Sequence, residues 1–229
     1  MSKQFPLMIF AAGKGTRMGE LTRHQPKPLV KVAGKALIDH TLTTIENAPV
    51  SRTIVNTCYF GEMLQGHLKD CDVVFSDESD ELLETGGGLR KAVPLLQDST
   101  VFTLNSDAIW HGPDPLQMLA DHWDADRMDA LLLLITPEQA RGHKGQGDFI
   151  LNDHGQISRG PGYVYTGAQI LRTEGLDQIN ETAFSLNLLW DLYGKSGSLY
   201  GLHWPGAWCD VGQPESIPLA EEILKDRDV

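Results

Sequence analysis

Cysteine is scarce in this chain: Cys58, Cys71 and Cys209 are the only three in 229 residues. An odd, scattered set with no C-x-x-C pair indicates neither a disulfide framework nor a zinc site. A reduced cytoplasmic setting is the simplest expectation. The eight histidines show no metal-ligand spacing either. No apolar run is long enough to span a membrane, and Met1–Pro6 leads into the first apolar run without a signal peptide. Positive charge is also in short supply, with 19 Lys and Arg against 31 Asp and Glu and a net charge of -12. That balance argues against general binding to nucleic acid or to an anionic membrane surface. Internal repeats, low-complexity tracts and flexible linkers are lacking too. What is present is a globular composition, 41% hydrophobic and 22% charged, sufficient for a full core. The length fits one α/β domain.

The few basic residues matter by position. Between Lys14 and Lys35 lie six Lys and Arg and a single acid, Glu20. This reversed patch adjoins the string Leu7-Met8-Ile9-Phe10-Ala11-Ala12-Gly13-Lys14-Gly15-Thr16-Arg17-Met18-Gly19. A short apolar run closed by glycine reads as a buried strand. The small residues after it let the backbone approach a ligand closely, and successive N–H groups in such a turn form an anion nest. Lys14 and Arg17 add fixed charge, so the loop suits a polyanion such as a nucleoside triphosphate. It is not a P-loop, since G-x-x-x-x-G-K-[ST] does not occur. It is not a dinucleotide fingerprint either: the third glycine, Gly19, comes one residue too late, and Val32, Ala33 and Gly34 stand where an acid would be needed.

Downstream, helical spacing of Leu37, Ile38, Leu42 and Ile45 is followed by a β-branched run, Thr53–Thr57. A short helix is expected over 61–69, strands over 72–75 and 101–104, a helix over 115–123 with Pro near its start, and a strongly apolar strand over 129–135. Alternating strands and helices predict a Rossmann-like, mostly parallel sheet with flanking helices. Past Pro137, short runs at 149–151, 156–157 and 163–165 are separated by hairpin signals, which predicts a small, partly antiparallel region inserted on the main sheet. Helices are expected over 185–193 and 214–225. The organisation is thus one domain, 1–229: a nucleotide-binding part over about 1–135, a substrate-binding part over about 136–213, and a C-terminal helix, 214–225.

Ligands of such sheets bind beyond the carboxyl ends of the strands, where the Gly13 loop and Asp107 both fall. Asp107 is a hard oxygen ligand suited to Mg²⁺ bound together with phosphate, and Asp210, in Trp208-Cys209-Asp210-Val211-Gly212, is a second. Alone, either acid reads equally as a turn or cap residue. Glu84-Thr85-Gly86-Gly87-Gly88 would let backbone approach a base or sugar, with the helix behind offering free N–H groups, or is simply a flexible turn. Gly147-Asp148-Phe149 holds an acid that accepts sugar hydroxyls or caps a hairpin, and Thr166-Gly167 again sets a small residue beside a hydrogen-bonding one. No Ser-His or Cys-His pair stands out.

The order of A-A-G-K-G-T-R-M, P-K-P-L-V at Pro26–Val30, L-E-T-G-G-G, N-x-D at Asn105–Asp107, G-D-F and W-x-D-V-G resembles the sugar-1-phosphate nucleotidyltransferases over residues 7–213. The resemblance implies that Ala11, Ala12, Gly13, Lys14 and Gly15 hold the triphosphate, with Arg17 on the departing pyrophosphate and Lys27 at the α-phosphate. It pairs Asp107 and Asp210 on Mg²⁺, the one cofactor implied. It sets Glu84, Gly86 and Asn105 near the nucleotide, and Thr85, Gly147, Asp148 and Thr166 near the sugar. L-E-T-G-G-G and G-D-F are most similar to uridylyltransferase members, which implies UTP as donor and N-acetylmuramate 1-phosphate as acceptor. Gly19-Glu20, Ser106, Thr166-Gly167-Ala168 and Gln213 depart from that pattern without removing a charged catalytic group. The expected partners are these small molecules, with no nucleic acid or membrane, and the expected state is a monomer or homodimer. Guanylyl, thymidylyl or cytidylyl transfer is the rival within the class, and a non-catalytic nucleotide-sugar sensor the rival outside it.

Overall fold

The computed structural model describes residues 3–225. In chain order the elements are β1 (Phe5–Phe10), β2 (Lys31–Val32), β3 (Lys35–Ala36), α1 (Leu37–Thr44), β4 (Val50–Thr57), α2 (Gly61–His67), β5 (Val74–Asp77), α3 (Glu84–Leu96), β6 (Thr100–Asn105), β7 (Ala108–His111) and α4 (Pro115–His122). They continue with β8 (Ala130–Ile135), β9 (Ala140–Arg141), β10 (Phe149–Leu151), β11 (Ile157–Arg159), β12 (Val164–Arg172), α5 (Asn187–Ser196), β13 (Leu199–His203), β14 (Ala207–Asp210) and α6 (Ser216–Lys225). 3-10 segments occupy Thr16–Thr22, kinked at Gly19, Lys27–Leu29 and Glu174–Gln178.

Seven strands form the main sheet in the order β13-β8-β12-β6-β1-β4-β5. All pairs are parallel except those of β12, which runs antiparallel to both β6 and β8. The sheet is therefore mostly parallel and covered on both faces, which is why its strands read as unbroken apolar runs rather than alternating ones. Leu131, Leu133 and Ile135 of β8 join the cluster under α1, α2 and α4, while Ala130, Leu132 and Leu134 join the one under α3 and α5. The start of α4 is fixed locally: the Asp114 carboxylate accepts the N–H groups of Leu116 and Gln117 at 2.9 and 3.0 Å, and Pro115 occupies the first turn.

Three expectations need correction. The third strand is Val74–Asp77, two residues later than read. Only β10 and β11 form a separate hairpin in the region past Pro137; the run at 163–165 opens a nine-residue strand central to the main sheet, and β13 lies at its edge. The three glycines do not precede the helix but lie in its first turns. Glycine there costs about 0.5–1 kcal/mol per residue relative to Ala, and close packing explains its presence: a Cβ on Gly86 would fall 2.3 Å from the Phe184 ring, and one on Gly87 2.4 Å from the Thr182 carbonyl oxygen.

A second, three-stranded sheet, β7-β14-β9, is backed by α6 through Ile109, Cys209, Val211, Ala220 and Ile223. Asp210 ends β14 of this small sheet, and Asp107 directly precedes β7.

Candidate active site

The Gly13–Gly15 loop leaves β1 at the carboxyl end of the sheet, where β1 lies between β4 and β6. Gly15 holds it in the left-handed region (φ 61°), and a Cβ there would meet Lys27 Cβ at 2.8 Å. The missing side chain thus lets the stem of Lys27 pass under the loop. Lys27 is 8% exposed, and its Nζ lies 2.6 Å from Asp107 Oδ2. A buried ammonium needs such a partner.

Asp107 follows β6, and Asp210 ends β14. Antiparallel pairing of β7 with β14 sets Asp210 opposite Ala108, and the Val211 N–H donates to the Asp107 carbonyl at 2.9 Å. Two acids 103 positions apart are thereby neighbours. Burial and then the Asp107 charge push the Asp210 carboxyl above the usual range, against the pull of Lys27, Arg17 and His143. Gly212 keeps the corner open: a Cβ there would fall 2.7 Å from Asp210 Oδ2 and 3.2 Å from Arg17 Nη1. Arg17, Lys27, Asp107 and Asp210 therefore converge, as expected.

The donor set fits a hard cation. Two carboxylate oxygens repel one another in a half-buried corner, and a divalent ion would relieve that repulsion. The described residues contain no cluster of three or more His, Cys, Asp or Glu able to hold a metal alone. A cation here would complete its shell with phosphate oxygens and water, as Mg²⁺ does.

Beside this corner opens a cavity of about 400 Å³ lined by Phe10, Ala12, Gly13, Glu84, Thr85, Asn105, Asp107 and Ser185, with Asn56, Glu78 and Leu82. That is within the size range of small-molecule sites. Glu84, at φ 59°, holds a backbone conformation uncommon for a non-glycine residue; such outliers gather at functional sites. Asn105 packs its side chain against Gly167 of β12, where a Cβ would lie 2.8 Å from Asn105 Nδ2.

Other expected residues are placed differently. The Ala11 and Ala12 N–H groups donate to Asn56 Oδ1 at 2.6 and 3.2 Å, whereas those of Gly13, Lys14 and Gly15 have no partner among the described residues. Gly86 is buried with its N–H on the Phe184 carbonyl at 2.8 Å, and it does not line the cavity. Thr166 is 1% exposed and donates to the Leu133 carbonyl at 2.7 Å. Asp148 Oδ2 accepts the Tyr165 N–H at 2.9 Å, and Gly147 is left-handed (φ 91°) against the Gly162 backbone. Gly147 and Asp148 therefore shape the β10–β12 junction and lie outside the cavity lining.

Sequence reasoning missed Asn56 and Glu78. Glu78 is 0% exposed, yet it borders the cavity. The available signal was a polar residue inside a β-branched strand and an acid just past the next one.

Residues 7–145 match the MobA-like NTP transferase domain. The chain is 37% identical to the N-acetylmuramate alpha-1-phosphate uridylyltransferase of Caulobacter vibrioides, covering 96% of both chains. It is 31% identical to the protein of the same name from Neisseria meningitidis serogroup B, covering 90% of this chain and 92% of that one. The fold matches HddC from Yersinia pseudotuberculosis, solved with GMP-PN, at a TM-score of 0.79 and 21% identity over 96% of this chain and 100% of that one. The chain belongs to the MobA-like NTP transferase family and is a nucleotidyltransferase. Within that class it stands with the sugar-1-phosphate enzymes.

Proposed function

We propose that this enzyme transfers UMP from UTP to N-acetylmuramate 1-phosphate, releasing pyrophosphate, in the cytoplasmic recycling of cell-wall sugar. The observation that carries the reading is the convergence of Arg17, Lys27, Asp107 and Asp210 beside a cavity walled by the Gly13 loop and Glu84–Thr85, in a chain 37% identical over 96% of its length to an enzyme of that name.

In this reading the free N–H groups of Gly13–Gly15 receive the triphosphate, and Arg17 meets the leaving pyrophosphate. Lys27 faces the α-phosphate and shares its charge with Asp107. Asp107 and Asp210 would hold Mg²⁺, which when bound supplies charge neutralisation between phosphate oxygens. The attacking sugar phosphate is already ionised at neutral pH, so no general base is required. The rate then comes from positioning and from cations fixed in advance. Glu84, Thr85 and Asn105 line the space left for the nucleoside and sugar, with Gly147, Asp148 and Thr166 supporting the sugar side through the β10–β12 junction.

Pyrophosphate release with each of UTP, GTP, CTP and dTTP against a panel of sugar 1-phosphates tests it. Highest turnover with UTP and N-acetylmuramate 1-phosphate is expected. Equal or better turnover with GTP or dTTP overturns the donor assignment, equal turnover with glucose 1-phosphate overturns the acceptor, and no release with any pair overturns the enzyme reading in favour of a sensor.

A further inference from the structure

The cavity has two walls, the phosphate loop on one side and the start of α3 on the other, and one chain of buried hydrogen bonds ties them together. Asn56, near the end of β4, accepts the Ala11 and Ala12 N–H groups through Oδ1 at 2.6 and 3.2 Å. Its Nδ2 donates to Glu78 Oε1 at 2.7 Å. Glu78 Oε2 accepts the Leu83 N–H at 3.2 Å, and Leu83 directly precedes the cavity residues Glu84 and Thr85. Asn56 and Glu78 are 3% and 0% exposed, so none of these bonds competes with bulk water.

Helix α3 is built to admit this pair. A Cβ on Gly88 would fall 2.6 Å from Glu78 Oε1 and 3.2 Å from Asn56 Nδ2, so any side chain at position 88 would push the carboxylate off its partners. Burial raises the Glu78 carboxyl above its ordinary value, opposed first by the Asn56 bond and then by the Leu83 bond. Keeping an acid in this position costs folding stability. A core tie alone could be met by an apolar contact, which makes the retained polar chain notable exactly where the two cavity walls meet.

We propose that Asn56 and Glu78 are positioning residues for the nucleoside triphosphate: together they fix the spacing of the cavity walls and withhold the Ala11 and Ala12 N–H groups, so that only the Gly13–Gly15 amides meet phosphate. The inference rests on the nucleotidyltransferase class, not on which base or sugar is used.

Asn56→Ala, Glu78→Gln and the double variant are compared with the wild type by calorimetric titration with Mg²⁺ and each of ATP, CTP, GTP and UTP. Gln at 78 can accept from only one of its two partners and turns a donor on the other. Loss of a buried tie of this kind weakens Kd for the best-bound nucleotide about tenfold or more, and the double variant is little worse than the worse single one, because the two residues form one chain. A purely structural role lowers the melting temperature and the fraction of binding-competent protein but leaves Kd unchanged, and that result overturns the proposal. Tighter binding of a nucleotide other than UTP corrects the donor assignment and leaves this inference standing. Should the variants not fold, hydrogen exchange on the wild type decides. Ala11 and Ala12 amides already protected without nucleotide, with new protection at Gly13, Lys14 and Gly15 on adding it, support the proposal. New protection at Ala11 or Ala12 overturns it.

Discussion

Lys27 Nζ lies 2.6 Å from Asp107 Oδ2, across 80 positions of sequence. The contact joins the 3-10 turn Lys27–Leu29 to the residues just past β6, and it places a buried cation next to the carboxylate corner. The ammonium is held there by the loop, because the absent side chain of Gly15 leaves room for the lysine stem. Its charge is thus fixed before any phosphate arrives, which is the condition for strong transition-state stabilisation.

Lys27→Ala is expected to lower kcat by roughly 10²–10³, the usual cost of one preorganised charge or donor, and to change KM for the sugar phosphate less. Gly15→Ala attacks the same group from the loop side. It forces a strained left-handed alanine whose methyl meets the Lys27 stem at 2.8 Å, so kcat should fall although every charged residue remains. Steady-state rates of pyrophosphate release check both. Near-wild-type kcat in a folded Lys27→Ala protein removes the lysine from the chemistry.

The carboxylate pair predicts non-additive losses. Asp107→Asn and Asp210→Asn should each abolish most activity, and the double variant should be little worse than the worse single one, because groups acting as a unit do not add. In metal-free protein Asp210→Asn should melt higher than the wild type, since burial and Asp107 both disfavour the Asp210 charge. Calorimetry in chelator reads the stability and Mg²⁺ titration of the rate reads the function. A double-variant loss equal to the product of the single losses contradicts joint action.

What the sequence made legible follows from the range of the interaction that decides each feature. The apolar runs of β1, β6 and β8 are local and declared themselves, as did the start of α4 at Pro115. The motif strings were legible as strings: Gly13, Gly15, Arg17, Lys27, Asp107 and Asp210 all lie about one corner. Their meeting was not legible from spacing, because it depends on the β7–β14 register, a pairing across about a hundred residues. Gly86–Gly88 misled for the same reason. Glycine is locally a helix breaker, and only the packing of Phe184, Thr182 and Glu78 against α3 shows why it stands inside a helix. The run at 163–165 reads with the hairpins because the turn signal Gly160-Pro161-Gly162 precedes it; in the fold it opens β12, whose register against β8 shifts between Tyr165 and Gln169.

That packing predicts a stability effect. Gly86→Ala places a methyl 2.3 Å from the Phe184 ring and 2.9 Å from its carbonyl oxygen, and the ring cannot withdraw without lifting the segment that accepts the Gly86 N–H. Overpacking of a tight site costs about 1–3 kcal/mol, several degrees of melting temperature in a chain of this size. Thermal unfolding followed by circular dichroism measures it, and an unchanged melting temperature shows that the helix and the 182–184 segment are not in the close contact described.

The buried acid beneath the cavity gives a pH dependence of definite sign. Glu78 has its carboxyl raised above the ordinary value of 4.5, chiefly by burial. Between 4.5 and the raised value the folded chain therefore binds more protons at this residue than the unfolded chain does, and the residue's contribution to stability falls as pH rises through that window. Below 4.5 both states carry the proton and the contribution is level; above the raised value it is level again, at its least favourable. Gln at 78 has no proton to lose, so it removes this dependence while every other titrating group stays in place. The melting temperature of Glu78→Gln minus that of the wild type should accordingly become more positive as pH rises from 4.5 toward neutrality. Its absolute sign at any one pH also contains the lost Asn56 or Leu83 bond, which does not titrate, so the slope is the quantity to read. Melting curves of both proteins at half-unit steps of pH in chelator supply it. A difference that is flat across the window, or that falls with pH, means that Glu78 is held as a well-stabilised carboxylate, with its two donors outweighing the cost of burial.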